Sequence, residues 1–393
     1  MSQLPIDPDA NGSRGAGMPC SNCDHGRDRP ICRNKHTCQT HGPAQNGEAV
    51  VATISLGGHA GEIATCPDGN QIYVIVDDSV KVINRLHHIV GSYRTGPHPK
   101  SLLVSADGTR VYVTGYDGST SVITTADNTV KTFKLERSNA EVVSPDGSHI
   151  YRAHSGIVGD TGGSWISVVN AEGATVAVIP VDRHATDIAL SPDGRRLYIS
   201  SRRGASYLDA RGLISVIDTS TYSVVDKIAV ELAADSMTMS FDGTRLYSTH
   251  YHKNAISIID LRTCAVSRWM FGDAPIDIAV SPDDAIACVT NLQSLTVFNA
   301  AANIVKSAVV GALPRGTCLS ADGKRAYVLD FVRRTILALD TADNVVVGSA
   351  DVDGHPEAMA LAPDGEFLYL TDYPNGVVTV ISTALLKRTA PGR

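Results

Sequence analysis

The phrase SPDGRRLY, residues 191–198, decides the fold because close variants of it return through most of the chain. An alternating apolar run, TDIAL, precedes it, and a second such run, LYIS, overlaps its end. Asp-Gly between two runs of this kind favours a tight hairpin, since glycine accepts a positive φ and the aspartate side chain bonds to the local backbone. The phrase therefore predicts two antiparallel strands joined by a short turn.

The phrase occurs eight times, at spacings of 39 to 49 residues. Two further strand-like runs follow most copies, such as ISVID at 214–218 for a third strand and TVAVIPV at 175–181 for a fourth. Four antiparallel strands in roughly 42 residues are typical of a propeller blade. The aspartate of each copy, called the repeat aspartate below, is Asp68, Asp107, Asp146, Asp193, Asp242, Asp283, Asp322 or Asp364.

The two ends of the repeat region complement each other. EAVVATISLGG (48–58) has the pattern of a fourth strand, whereas only two clear strands follow the last phrase and end near Ser382. The early strand can therefore complete the last blade, which would close the ring and hide both sheet edges. We predict an all-β, closed propeller of eight four-stranded blades over 48–385, with tails at 1–47 and 386–393. A seven-bladed ring with one irregular unit is the alternative.

The same residues carry a family resemblance. SPDGRRLYIS, YVTG (112–115) and CVTN (288–291) resemble the repeats of the YVTN-repeat bacterial propellers, and the chain is similar to actinobacterial members of that family. The resemblance covers residues 48–383, although the full tetrapeptide YVTN does not occur. It implies the propeller fold but no particular activity, because such folds host scaffolds, binding modules and enzymes.

Composition narrows the function. The formal net charge is −7 and no basic block of five or more residues occurs, so we expect no nucleic-acid partner. No run of about 18 apolar residues occurs, so we expect no membrane span. The first residues lack a basic start followed by an apolar run, which favours a cytoplasmic location with reduced thiols.

Four of the eight cysteines lie within the first 38 residues, in the spacing C-x2-C-x8-C-x5-C. This segment has too few apolar residues to build a core, so a bound zinc ion would be one way to order it. Two disulfides, a disordered tail, or a redox or metal-transfer role are the alternatives. The predicted ligands are Cys20, Cys23, Cys32 and Cys38, with His36 as another possible fourth ligand.

Histidines recur at two positions of the repeat. In a blade, the loops from second to third strand and from fourth to first strand share one face, opposite the Asp-Gly hairpins. Two long loop insertions, 154–165 and 201–212, also fall on that face. Four histidines stand nine residues before the repeat aspartate: His59, His98, His184 and His355. His154 and His250 stand eight residues after it, and His252 stands ten residues after it.

Imidazole is a ligand for copper, zinc, nickel and iron, so these histidines could hold copper or another transition metal. An ordinary polar turn residue is the simpler interpretation. The sequence thus supports two functional hypotheses. One is a binding or scaffolding propeller that presents its loop-rich, His-rich face to a protein or small ligand, with a metal-binding tail. The other is a metal-dependent enzyme, of redox or lyase type, that uses the histidines; whether the protein is an enzyme is left open.

Overall fold

A computed structural model describes residues 49–156, 163–182, 184–203, 211–232, 234–270, 273–299, 304–311 and 313–386. The predicted tail ligands Cys20, Cys23, Cys32, Cys38 and His36 lie outside these residues, as do residues 157–162 and 204–210 of the two loop insertions. Over the described residues the chain forms strands throughout, with two short 3₁₀ turns at Tyr251–Lys253 and Thr383–Leu385.

The described strands make eight sheets of four strands each. In chain order they are β1 (Val50–Ser55), β2 (Ala60–Thr65), β3 (Gln71–Val76), β4 (Ser79–Asn84), β5 (Ile89–Arg94), β6 (Pro99–Val104), β7 (Arg110–Gly115), β8 (Ser119–Thr124), β9 (Thr129–Lys134), β10 (Ala140–Val143), β11 (His149–His154), β12 (Ser164–Asn170), β13 (Thr175–Val181), β14 (Ala185–Leu190), β15 (Arg196–Arg203), β16 (Arg211–Asp218), β17 (Ser223–Val230), β18 (Ser236–Met239), β19 (Arg245–His250), β20 (Ala255–Asp260), β21 (Ala265–Met270), β22 (Pro275–Val280), β23 (Ile286–Asn291), β24 (Ser294–Asn299), β25 (Ile304–Val309), β26 (Pro314–Leu319), β27 (Arg325–Asp330), β28 (Thr335–Asp340), β29 (Val345–Asp351), β30 (Pro356–Leu361), β31 (Phe367–Asp372) and β32 (Val377–Ser382).

Seven blades are continuous in the chain, from β2–β5 (blade 1) to β26–β29 (blade 7). Blade 8 has the order β1-β32-β31-β30, so its outer strand comes from the beginning of the chain. The first strands of neighbouring blades contact each other all the way round, including β30 against β2. The eight-bladed closed ring is confirmed, and the seven-bladed alternative is wrong.

The repeated phrase forms the predicted hairpins. In all eight, Oδ1 of the repeat aspartate accepts a hydrogen bond from the amide two residues later, at 2.8–3.1 Å. The next residue has a positive φ, near +70° for Gly194 and +57° for Asp284, which replaces glycine in blade 6. This side-chain bond and the left-handed residue together fix the turn.

The hydrophobic core is divided among the seams between blades. At the closing seam, Ile63 and Val74 of blade 1 pack with Tyr369 and Val378 of blade 8. The last residue of the phrase is tyrosine in seven copies, and all seven tyrosines are buried. Tyr112 also donates a hydrogen bond to the carbonyl of Gly147 in the next blade's hairpin, at 2.7 Å. One phrase therefore shapes its own blade and joins that blade to its neighbour.

Removal of β1 should open the ring. We expect a variant lacking residues 1–58 to expose the edge of β32 and the apolar side chains, such as Val378 and Val380, that pack in the same cluster as Ile54 and Leu56, and to aggregate. A variant lacking 1–45 keeps β1 and should melt as the parent does. Size-exclusion chromatography and thermal melting of both variants measure this, and a longer deletion that stays monomeric with an unchanged melting temperature would contradict the closure.

Candidate functional site

The loops between second and third strands, and between fourth and first strands, form one face of the ring, called the loop face below. In several blades a backbone hydrogen bond joins the two loops across the blade. The carbonyl of His59 accepts from the amide of Asp77 at 3.1 Å, and that of His98 accepts from Tyr116 at 3.0 Å. The two sets of repeat positions that hold the histidines therefore meet at the same end of each blade.

The position nine residues before the repeat aspartate is a turn position. His98 and His184 have φ values of +50° and +57°, and Leu313 has +59° at the same place in blade 7. The carbonyl of His184 accepts a hydrogen bond from the amide of Arg202. A backbone role in the turn accounts for these two residues without a ligand.

His154 is buried and both of its ring nitrogens have partners. Nδ1 donates to the carbonyl of Arg137 at 2.7 Å, so Nε2 accepts from the Ser167 hydroxyl at 2.8 Å. The indole of Trp165 stacks on the imidazole, with ring centroids 5.1 Å apart. Burial lowers the pKa of His154, which favours the neutral ring that this hydrogen bonding requires. Neither nitrogen is left for a metal ion.

His250 and His252 differ in exposure. The His250 ring is buried, and its Nε2 lies 2.8 Å from the hydroxyl of Ser257. His252 is exposed and meets the ring of Tyr251 edge-on. Each histidine is thus engaged with its own blade.

The exposed His59 lies over the seam between blades 8 and 1, whereas the exposed His355 directly precedes the first strand of blade 8. Nδ1 of His59 is 2.9 Å from Oδ1 of Asp77, and its ring stacks on Tyr373 with centroids 5.1 Å apart. The amide of His355 donates to Oδ2 of Asp372, which also accepts from the side chain of Asn375. The carboxylate of Asp372 therefore caps a loop.

In the part of the chain that the structure describes, no three His, Cys, Asp or Glu side chains are grouped so as to hold a metal ion. The structure brings the histidines to one face, but it shows them in turns, stacks and hydrogen bonds of separate blades. A shared metal on this face stays a prediction.

Sequence reasoning missed a set of aromatic residues on the same face. The residue nine positions after the repeat aspartate directly follows the second strand in seven of the eight blades, and it is aromatic in four. Tyr116 is 53% exposed and the other three are half-buried. The guanidinium of Arg315 lies 4.2 Å from the centroid of one of these rings. The sequence comparison used the position eight residues after the repeat aspartate, and the same comparison at the ninth position would have found these aromatic residues. They are Tyr116, Tyr251, Phe331 and Tyr373.

A second missed feature is a set of carboxylates on the inner strands, six residues before the repeat aspartate. Glu62 Oε2 accepts from the amide of Leu102 in the next blade at 2.8 Å, and Asp187 Oδ2 accepts from Met237 at 2.6 Å. Asp277 occupies the same position of the repeat, but it accepts a hydrogen bond from the amide of the next residue, Ile278. Since the inner edge of each sheet has no further strand to pair with, these carboxylates satisfy backbone groups that the ring leaves open.

The surroundings of these carboxyl groups on the inner strands raise their pKa values. Desolvation by burial raises the pKa of Glu62 to about 7, against the opposite effect of the Leu102 amide. Burial likewise raises the pKa of Asp187 to about 6, and raises that of Asp277. A raised pKa of this kind favours the protonated form of each of these carboxyl groups.

No family model matches the chain. Among curated proteins, it is similar to the seven-bladed beta-propeller protein Rv1057 of Mycobacterium tuberculosis, with 31% identity over 140 residues. That alignment covers 33% of this chain and spans only about a third, 36%, of the curated relative. The match supports membership among β-propeller proteins in general.

Among solved structures, the chain is similar to a chain of Kuenenia stuttgartiensis hydrazine synthase. The TM-score is 0.55 at 19% identity, over 89% of this chain and all of the other. A likeness at this identity concerns the fold alone. No helix among the described residues has the length and apolar character needed to cross a membrane.

The raised pKa of Glu62 predicts a pH-dependent stability. A carboxyl whose pKa is higher in the folded than in the unfolded state stabilises the fold below the unfolded pKa, and this contribution is lost as pH rises through the folded pKa of about 7. Between pH 5 and 8 we expect the unfolding free energy of the parent to fall. Replacement Glu62→Gln keeps an acceptor for Leu102 and should reduce that fall by about 1 kcal/mol, a value discounted because water reaches the group.

Urea unfolding at several pH values measures this change. Glu366→Gln, an exposed carboxylate for a control, should leave the pH profile as it is. If Glu62→Gln and the parent show the same profile, the carboxyl is not protonated on folding.

Proposed function

We propose that this propeller is a binding module that docks a protein partner on its loop face. The four aromatic residues at one repeat position carry the proposal, because their rings stand partly exposed on the face from which the loops project. Tyrosine and arginine are enriched where protein partners bind, since they combine a large apolar area with polar groups.

Further support comes from the surroundings of these rings. Tyr373 is held by the stacked ring of His59, and Phe331 by the guanidinium of Arg315. Val332, beside Phe331, is 54% exposed. Side chains fixed in this way lose little conformational entropy on binding, which favours affinity. The partial likeness to another bacterial propeller, and the YVTN-like phrases, are consistent with a binding role but specify no partner.

The enzymatic alternative would use copper or another transition metal held by His59, His98 and His355, or by His154, His184, His250 and His252. No described contact favours it, and the hydrogen bonds of His154 leave that ring without a ligand position. We therefore propose that the loop face binds a protein partner and does not catalyse a reaction.

Loss of the aromatic side chains should weaken partner binding. We expect the triple variant Tyr116→Ser, Phe331→Ser, Tyr373→Ser to retain a partner at least tenfold more weakly, because a few buried aromatic anchors supply most of the binding energy at interfaces. Quantitative co-purification of the full chain from its own cells, followed by titration with the purified partner, measures this effect.

The matched control is Phe241→Ser. Phe241 is an aromatic residue that is 57% exposed, but it lies in an Asp-Gly hairpin on the opposite face. A partner that binds the parent and the triple variant equally, or that is lost only with Phe241→Ser, would place the interface elsewhere.

We also propose that the amino-terminal segment binds zinc through Cys20, Cys23, Cys32 and Cys38, with His36 as an alternative ligand. The support is the spacing of these residues and the scarcity of apolar side chains around them.

Replacement of Cys20 and Cys23 by serine should abolish bound zinc and leave the melting temperature of the propeller unchanged. Elemental analysis of protein purified without added metal gives the result, and the double variant Cys66→Ser, Cys264→Ser is the control, since neither residue belongs to the tail. Blocked cysteines without metal, found by thiol labelling under denaturing conditions, would indicate disulfides instead. Stoichiometric copper in both variants would support the enzymatic alternative.

A further inference from the structure

A groove of about 490 Å³ lies on the outer part of blade 1, next to the crossover that leaves β1. The crossover residues Leu56 and Gly57 line it together with the end of β3, the turn that follows, and the strands β4 and β5. The groove therefore lies against the seam at which the ring closes. The polar residues that line it are Asp77, Asp78, Ser79, Lys81, Ser92 and Arg94.

The register of β4 and β5 places two cations together in this groove. Ser79 is opposite Arg94 and Lys81 is opposite Ser92. Because alternate residues of a strand share a face, these four side chains project from the same side of the sheet. Lys81 and Arg94 are then diagonal neighbours, within reach of one small molecule.

Both cations lack the carboxylate that comparable residues have in other blades. On the outer strands of blades 2, 4 and 5, Lys131 pairs with Glu172, Lys227 with Asp182, and Arg268 with Glu231. No carboxylate of the described residues lies within 4.0 Å of the charged nitrogens of Lys81 or Arg94. Lys81 and Arg94 therefore have no ion-pair partner within that distance, and both would attract a bound anion.

The remaining lining groups restrict the ligand. The hydroxyl of Ser79 donates to the carbonyl of Val76 at 2.8 Å, so Ser92 is the hydroxyl that can serve as a donor to a ligand. Oδ1 of Asp78 accepts from the amide of His98, and Asp77 contacts His59. These two carboxylates line the same groove, so they disfavour a second negative charge on the ligand.

We propose that this groove binds a small molecule with one oxyanion group, a carboxylate or a phosphate, held between Lys81 and Arg94. Ser92 donates a further hydrogen bond to the same group. The rest of the ligand is neutral or positively charged, because Asp77 and Asp78 also line the groove. A ligand in this position touches both the β1 crossover and blade 1, so it stabilises the closed ring by binding the folded state.

Magnetic resonance titration of the full-length protein tests the site with two probes, inorganic phosphate observed by phosphorus-31 and carboxyl-labelled acetate observed by carbon-13. Ionic strength is kept constant, so that screening and salt exclusion do not change between points. We expect saturable line broadening with at least one probe. The double variant Lys81→Met, Arg94→Met should weaken it at least tenfold, and each single variant less.

The matched control is Lys131→Met, Arg268→Met, which removes two outer-strand cations that already have carboxylate partners. It should bind as the parent does. Absence of saturable broadening with both probes, or an equal loss in the control, would overturn the proposal. Lys81 and Arg94 are not among the aromatic residues on which the docking proposal rests. A negative result in this titration would therefore leave the docking proposal unaffected, and a negative result with the aromatic variants would leave the anion site unaffected. Circular dichroism of each variant confirms that the comparison is made on folded protein.

Discussion

The pairing of β1 with β32 closes the ring. It places the first and last strands of the repeat region in the same blade, so neither strand is left as an unpaired end. Five pairs of residues, from Val50 with Ile381 to Ser55 with Val377, join the beginning of the repeat region to its end. The amide of Leu56 then donates to the carbonyl of Gly376 at 2.8 Å as the chain crosses to the inner strand. Without this pairing each of the other seams would still form, but one apolar blade surface and two sheet edges would face water.

Closure of the ring leaves the backbone groups at the inner edge of each sheet without a strand to pair with. Polar side chains from the neighbouring blade take part of that role. Glu62 and Asp187 accept from amides of the next blade, while Thr186 donates to the carbonyl of Ala234 at 2.8 Å. The raised pKa values of Glu62 and Asp187 thus follow from the architecture, because atoms of the adjoining blades displace part of the water around them.

The loop face shows how the same repeat can supply both structure and recognition. The position eight after the repeat aspartate turns inward and is buried, as with His154, His250, Asp330 and Asp372. The next position begins the loop, and its side chain is exposed or half-buried in Tyr116, Tyr251, Phe331 and Tyr373. A shift of one residue in an extended chain moves the side chain to the opposite side. The buried rings of His154 and His250 therefore take part in the fold, whereas the adjacent aromatic side chains remain at least partly accessible to solvent.

The sequence by itself determined the hairpins and the closing strand and favoured eight blades over seven, because each depends on a local pattern. The patterns are the alternation of apolar residues, the Asp-Gly pair, an extra strand at the start of the repeat region and a missing strand at its end. It also placed the histidines at one end of the blades. Only the tertiary structure decided what those side chains touch, since the partner of Glu62 is 40 residues away and that of His59 includes Tyr373, more than 300 residues along the chain. The unpaired cations of the groove were beyond reach of the sequence for the same reason. A charge is free or paired according to which neighbour the folded ring brings within a few ångströms, and spacing along the chain does not contain that distance.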